Sequence, residues 1–144
     1  MRVWHKELIA VLPRLQLQGQ WRECCMIARN LNLYGRPNHI LVNKIMDYPL
    51  SHFCTYSHLV FDEMRARGYD CDWGNFSRWL WDVQPNDMEV PFDDIFVEDG
   101  INGAIWHDDR YYWQCYYNLE EKYDCGAIPD EEWEALCDEG CVKL

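Results

Sequence analysis

A single all-α domain is the fold that this chain predicts, on three observations. Apolar residues in the first half recur at the 3.6-residue period of a helix, not the two-residue period of a strand. Residues that start helices, Pro13, Ser51 and Pro129, and one that stops a helix, Gly68, punctuate the chain. A length of 144 residues makes one domain with a sizeable core. No internal repeat or low-complexity linker divides it. Within residues 1–144, segment 1–82 reads as a helical core and 83–144 as an acidic, aromatic-rich and partly irregular extension.

Residues 4–12 are apolar enough to anchor the amino terminus against the body. Pro13 suits the first turn of a helix running to about Asn30, since the N–H it lacks would be unpaired there anyway. Leu17, Trp21, Cys24, Ala28 and Leu31 form the buried stripe of that helix. Gln16, Gln20, Glu23 and Asn30 lie on one flank, with Gln18, Arg22 and Arg29 on the other. Glu23 and Arg22 thus border the core from opposite sides, and taken alone they read as an ordinary solvated helix face rather than a site. Residues 34–39 are a turn by composition, which either only connects or offers Arg36 and His39 to a phosphate.

Ser51 is placed to cap a second helix that ends at Gly68 and buries Phe53, Tyr56, Val60 and Met64. Residues 73–82 hold Trp73, Phe76, Trp79, Leu80 and Trp81, a cluster that reads as core rather than as a platform for bases. Pro85 to Asn102 is loop-like and acidic. The aromatic run of Tyr111, Tyr112, Trp113, Tyr116 and Tyr117 has two readings, core packing and stacking on splayed bases. Pro129 then opens a last helix whose first-turn acids suit the helix dipole and whose Trp133, Leu136 and Cys137 face inward.

Charge divides the chain. The formal net charge is −12, which at long range opposes a nucleic-acid partner. Residues 1–78, however, carry ten Lys/Arg against seven Asp/Glu, and residues 79–144 carry three against eighteen. Beyond a Debye length of about 8 Å the acids are screened, so a locally basic face in the first half can still hold DNA. No run of eighteen apolar residues exists, which excludes a membrane-spanning helix, and Lys6-Glu7 interrupts any signal peptide. A cytoplasmic protein is expected, with its eight cysteines mostly reduced. Cys24 and Cys25 read as small packing residues. Cys115, Cys125, Cys137 and Cys141 have the count for a zinc site but no familiar zinc spacing, so no metal site is assigned.

One group on the chain needs no burial to act as a nucleophile near neutral pH. An α-amine has a pKa of about 7.7–8.0, whereas a lysine must be strongly desolvated to be unprotonated there. Such an amine needs a carboxylate to handle protons and cations to hold a polyanion. Glu23 and the arginines Arg2 and Arg22 supply these groups.

Met1-Arg2-Val3-Trp4, followed by Leu17-x-Gly19-x-Trp21-Arg22-Glu23, resembles the pyrimidine-dimer DNA glycosylase family of the phage endonuclease V type. The block from His58 to Tyr69 is similar to the family's second conserved helix, so the resemblance covers roughly residues 1–70. It implies an all-α endonuclease V-like domain and a DNA repair glycosylase with coupled abasic-site lyase activity, needing no cofactor. In that chemistry the N-terminal amine of Met1 attacks C1′ of a damaged deoxynucleotide and forms an imine. Glu23 then assists loss of the C2′ proton, and β-elimination cuts the strand. Arg2, Arg22, Arg29, Arg36 and His39 are the expected contacts to double-stranded DNA with a damaged or abasic site. Three positions depart from the phage pattern: bulky Arg2 should keep Met1 in place, Met26 stands where an arginine is expected, and Gln16 replaces a histidine. The alternative is a non-enzymatic DNA mimic on the same scaffold, binding a nucleic-acid-binding protein through acidic residues 87–139.

Overall fold

The computed structural model describes residues 1–80, 89–97 and 105–143. Among these residues every regular element is helical and no strand forms. The α-helices are α1 (Arg14–Tyr34), α2 (Leu50–Ala66), α3 (Gly74–Leu80), α4 (Asp109–Asp124) and α5 (Asp130–Lys143). Short 3-10 turns occupy Lys6–Val11, Asn43–Asp47 and Phe92–Asp94. No helix among the described residues is long and apolar enough to cross a membrane.

Helix α1 continues past Asn30 and stops at Gly35, which adopts φ 76°, a left-handed conformation that costs glycine little. Its start is secured from a distance. The backbone N–H of Arg14 donates to Glu132 Oε1 of α5 at 2.7 Å, setting an acid at the positive end of the α1 dipole. Helix α2 begins at Leu50 with Pro49 in the cap position, so Ser51 lies inside the first turn and is not the cap. The fixed φ of proline, −54° here, brings the chain into the helix before Ser51 can act. The far end closes as expected at Gly68. The Gly68 N–H donates to the Arg65 carbonyl and the Tyr69 N–H to that of Met64, which satisfies two orphan acceptors.

Helix α1 packs against α2 and α3. Trp21 of α1 stacks on Trp73 and Phe76, at centroid distances of 5.9 and 6.4 Å, so the aromatic cluster is core, with Trp79 half-buried at its edge. Trp81 lies outside the described residues, as do parts of the acidic segment from Pro85 to Asn102.

The second half supplies its own share of the same buried cluster. Ile95 and Phe96 are fully buried, and burial of one such side chain stabilises by about 1.5–3 kcal/mol. Phe96 needs that gain, because its φ of 56° costs a non-glycine residue about 1–2 kcal/mol. Its carbonyl also accepts from the N–H of His107 at 3.0 Å and from the Tyr48 hydroxyl at 3.1 Å. Helix α4 is capped by Asp108, which accepts from the Tyr111 N–H at 2.8 Å, and it buries Tyr112, Cys115 and Leu119. Leu136 of α5 is buried as expected, and Trp133 stacks on Tyr123 at 4.9 Å.

Candidate active site

Residues 1–4 are irregular in backbone and lie along one flank of α1, running against its direction. The Arg2 N–H donates to Glu23 Oε2 at 3.3 Å, and the Trp4 N–H donates to Gln20 Oε1 at 2.8 Å. Two helices close the other side. The Tyr56 hydroxyl of α2 donates to the Trp4 carbonyl at 2.6 Å and lies 3.1 Å from Gln20 Oε1. The Tyr111 hydroxyl of α4 donates to the Val3 carbonyl. Burial raises the pKa of both phenols, so each remains a donor at neutral pH. The Val3 carbonyl and both backbone groups of Trp4, in residues fully and nearly fully buried, are thus paired by side chains, as buried main chain requires.

The turn that follows is held from the second half. The Lys6 N–H donates to Nδ1 of His107 at 3.1 Å, and Lys6 Nζ donates to the Phe92 carbonyl at 2.6 Å. His107 stacks on His5 with centroids 4.9 Å apart. Burial, then the nearby His5, Lys6 and Lys44, pushes the His107 pKa well below its ordinary value, so the ring is neutral and accepts at Nδ1. Met1 is half-buried and packs against the core. Its amine lies one residue beyond the Arg2 nitrogen, at most about 3.6 Å further, hence within about 7 Å of Glu23 Oε2.

The expected site residues fall into three groups. Met1, Arg2 and Glu23 come together. The Arg2 guanidinium is half-buried, 3.9 Å from Cys115 Sγ and 5.4 Å from the Trp4 ring centroid. Burial raises the pKa of the Cys115 thiol despite that cation. Arg22 lies about 100° around the helix from Glu23 and, with Arg29, lines a groove between α1 and α3. Arg36 and His39 follow the far end of α1, about 16 Å along the axis from Glu23. There His39 serves the turn itself, its Nδ1 accepting from the Leu41 N–H at 3.2 Å.

Gln20, Tyr56, Tyr111 and His107 were not legible as site residues. Gln20 falls on a polar flank by helical spacing, and no local signal shows that the amino-terminal segment covers that flank. The cysteines separate: Cys115 lies beside Arg2, Cys125 is exposed, and Cys137 meets the Tyr116 hydroxyl at 3.6 Å. Among the described residues no group of three or more metal-binding side chains converges.

These features define an all-α protein whose amino terminus, locked by side chains from α1, α2 and α4, is held beside a carboxylate. The chain belongs to the pyrimidine dimer DNA glycosylase family, whose model matches residues 1–73, just over half its length. Membership implies glycosylase action on DNA, and the matched segment holds Met1, Arg2 and Glu23 together with the clamp residues Gln20 and Tyr56. No curated protein and no solved structure matches the chain.

Proposed function

We propose that the protein releases a damaged base from DNA and cleaves the strand at the same site, with the Met1 amine as nucleophile and Glu23 as acid/base. One observation carries this reading: the hydrogen bond from the Arg2 N–H to Glu23, which tethers the carboxylate one residue from the amine. The amine attacks C1′, and the base leaves with the electrons of the glycosidic bond. Loss of a proton from nitrogen and opening of the sugar give the imine. Glu23 then takes the C2′ proton, the C–H electrons form a double bond, and the 3′ phosphate is expelled.

The spacing suits that sequence. From the amine nitrogen, C2′ is two bonds away, about 2.5 Å, and a proton acceptor stands about 3 Å beyond it. A carboxylate serving C2′ therefore belongs roughly 5–6 Å from the amine, not in contact with it. The bound of about 7 Å set by the Arg2 bond includes this distance. The fixed segment also spares the entropy of ordering a loose terminus at each turnover. C1′ is shielded within a duplex, so the damaged nucleotide must be extruded first.

Borohydride reduction on a duplex with one abasic site tests the reading. The expected result is a covalent protein–DNA adduct whose linkage maps to Met1, with intact mass showing Met1 retained. Acetylating the amine should abolish the adduct. Undiminished trapping after acetylation would assign the imine to an internal lysine instead.

A further inference from the structure

The groove between α1 and α3 has a volume of about 590 Å³ and presents Arg22, Arg29 and Arg78. That volume falls within the roughly 300–1,000 Å³ of ordinary binding clefts. All three arginines are exposed, and none has a carboxylate partner among the described residues. No acid occurs among the described residues that line the groove. Arg67 shows the contrast: its guanidinium is committed to Glu63 at 2.8 Å and to the Leu12 carbonyl at 2.7 Å, a structural use of the same side chain. Three cations gathered without a counter-charge repel one another, and a bound polyanion relieves that repulsion.

Trp79 organises two of them. The guanidinium carbons of Arg78 and Arg29 lie 5.4 and 6.0 Å from its ring centroid. A guanidinium held over an indole keeps fewer rotamers, so less freedom is lost when an anion binds. Arg22 and Arg29 are seven residues apart, about 10 Å along the helix axis, so the two cations can meet different phosphates of one strand. Met26, 47 % exposed in the same groove, gives an apolar surface between the cations of α1 that suits a sugar face better than a lone small anion.

We propose that this groove holds the phosphate backbone of a DNA strand. In it Arg78 contacts phosphate, and Trp79 is a positioning residue that aims Arg29 and Arg78. Both lie beyond the family-matched residues 1–73. The identity of the polyanion as DNA rests on the function proposed above.

The test uses the full chain and a fluorescent abasic-site duplex, with affinity measured by anisotropy across a salt series. Arg78→Gln should lower the slope of log affinity against log salt by about one unit and weaken binding about eight-fold at 0.1 M salt. Arg78→Lys should keep the slope with weaker affinity, because the charge remains but the fork and the stacking face are lost. Trp79→Leu should lose affinity while keeping the slope, and Trp79→Phe should restore most of it. Borohydride trapping by the wild-type protein reads the amine and Glu23 independently of the groove. Wild-type trapping together with unaltered affinity and slope in Arg78→Gln overturns the groove and leaves the catalytic reading standing. A wild-type protein that neither binds nor is trapped overturns both. If Trp79→Leu loses its helical circular dichroism, the two Arg78 variants decide the matter.

Discussion

The amide oxygen of Gln20 accepts from the backbone N–H of Trp4 at 2.8 Å, tying a helix side chain to the segment that carries the amine. Tyr56 closes the same knot from α2. Replacing Gln20 with leucine keeps the volume and removes the acceptor. A buried N–H left unpaired costs about 1–3 kcal/mol. The expected fall in melting temperature is roughly 4–8 °C for a loss of about 2 kcal/mol, read by circular dichroism. Imine trapping should slow by more than the stability loss explains, because the amine loses its fixed position. Normal trapping kinetics in a folded Gln20→Leu protein would remove this bond from the positioning argument.

Glu23→Gln keeps the shape of the side chain and an oxygen for the Arg2 N–H, so the fold and DNA affinity should persist. Strand cleavage should slow by about 10²–10⁴, the usual range for a general acid/base group. Imine formation should suffer less. Single-turnover cleavage of abasic DNA is the measurement, and a wild-type rate would rule out the assigned role.

Charge segregation predicts the salt response that separates an enzyme from a DNA mimic. Three arginine–phosphate contacts give a slope of about −2.7, or roughly 500-fold weaker binding for each tenfold rise in salt. A mimic shows no DNA binding at any salt and a salt-sensitive complex with a basic protein titrated in place of the duplex. Because the carboxylates cluster after residue 78, DNA binding that tightens as salt falls is the expected outcome.

His107 gives the fold an acid-side weakness. Its folded pKa is depressed by burial, so below the ordinary imidazole value near 6.5 the unfolded chain takes up a proton that the folded chain refuses. Stability is therefore full above about pH 6.5 and falls as pH drops toward the folded pKa. His107→Asn keeps an acceptor for the Lys6 N–H without a titrating ring. It should flatten the melting temperature between about pH 6.5 and 5, and an unchanged slope there would exclude His107 as the cause.

The sequence by itself determined the helices whose apolar stripes are local. Leu17, Trp21, Cys24 and Ala28 repeat within one segment, Gly68 ends α2 through its own backbone, and Pro129 opens α5, so neighbours along the chain carry enough information. It also presented Met1, Arg2, Arg22 and Glu23 as one candidate set, through the carboxylate and cations an amine nucleophile needs and through the family resemblance those residues carry. Tertiary structure alone decided what holds that amine. The Arg14 N–H is capped by Glu132, the Val3 carbonyl is taken by Tyr111, and the Lys6 N–H ends on His107, each across about a hundred residues or more. Hydrogen bonds of that span leave no periodic trace, since a tyrosine on a solvated flank and one that closes a buried carbonyl have the same spacing. The arginines show both sources: helical spacing already sets Arg22 and Arg29 on the flank away from Glu23, while only the packing of α3 brings Arg78 and Trp79 to that flank.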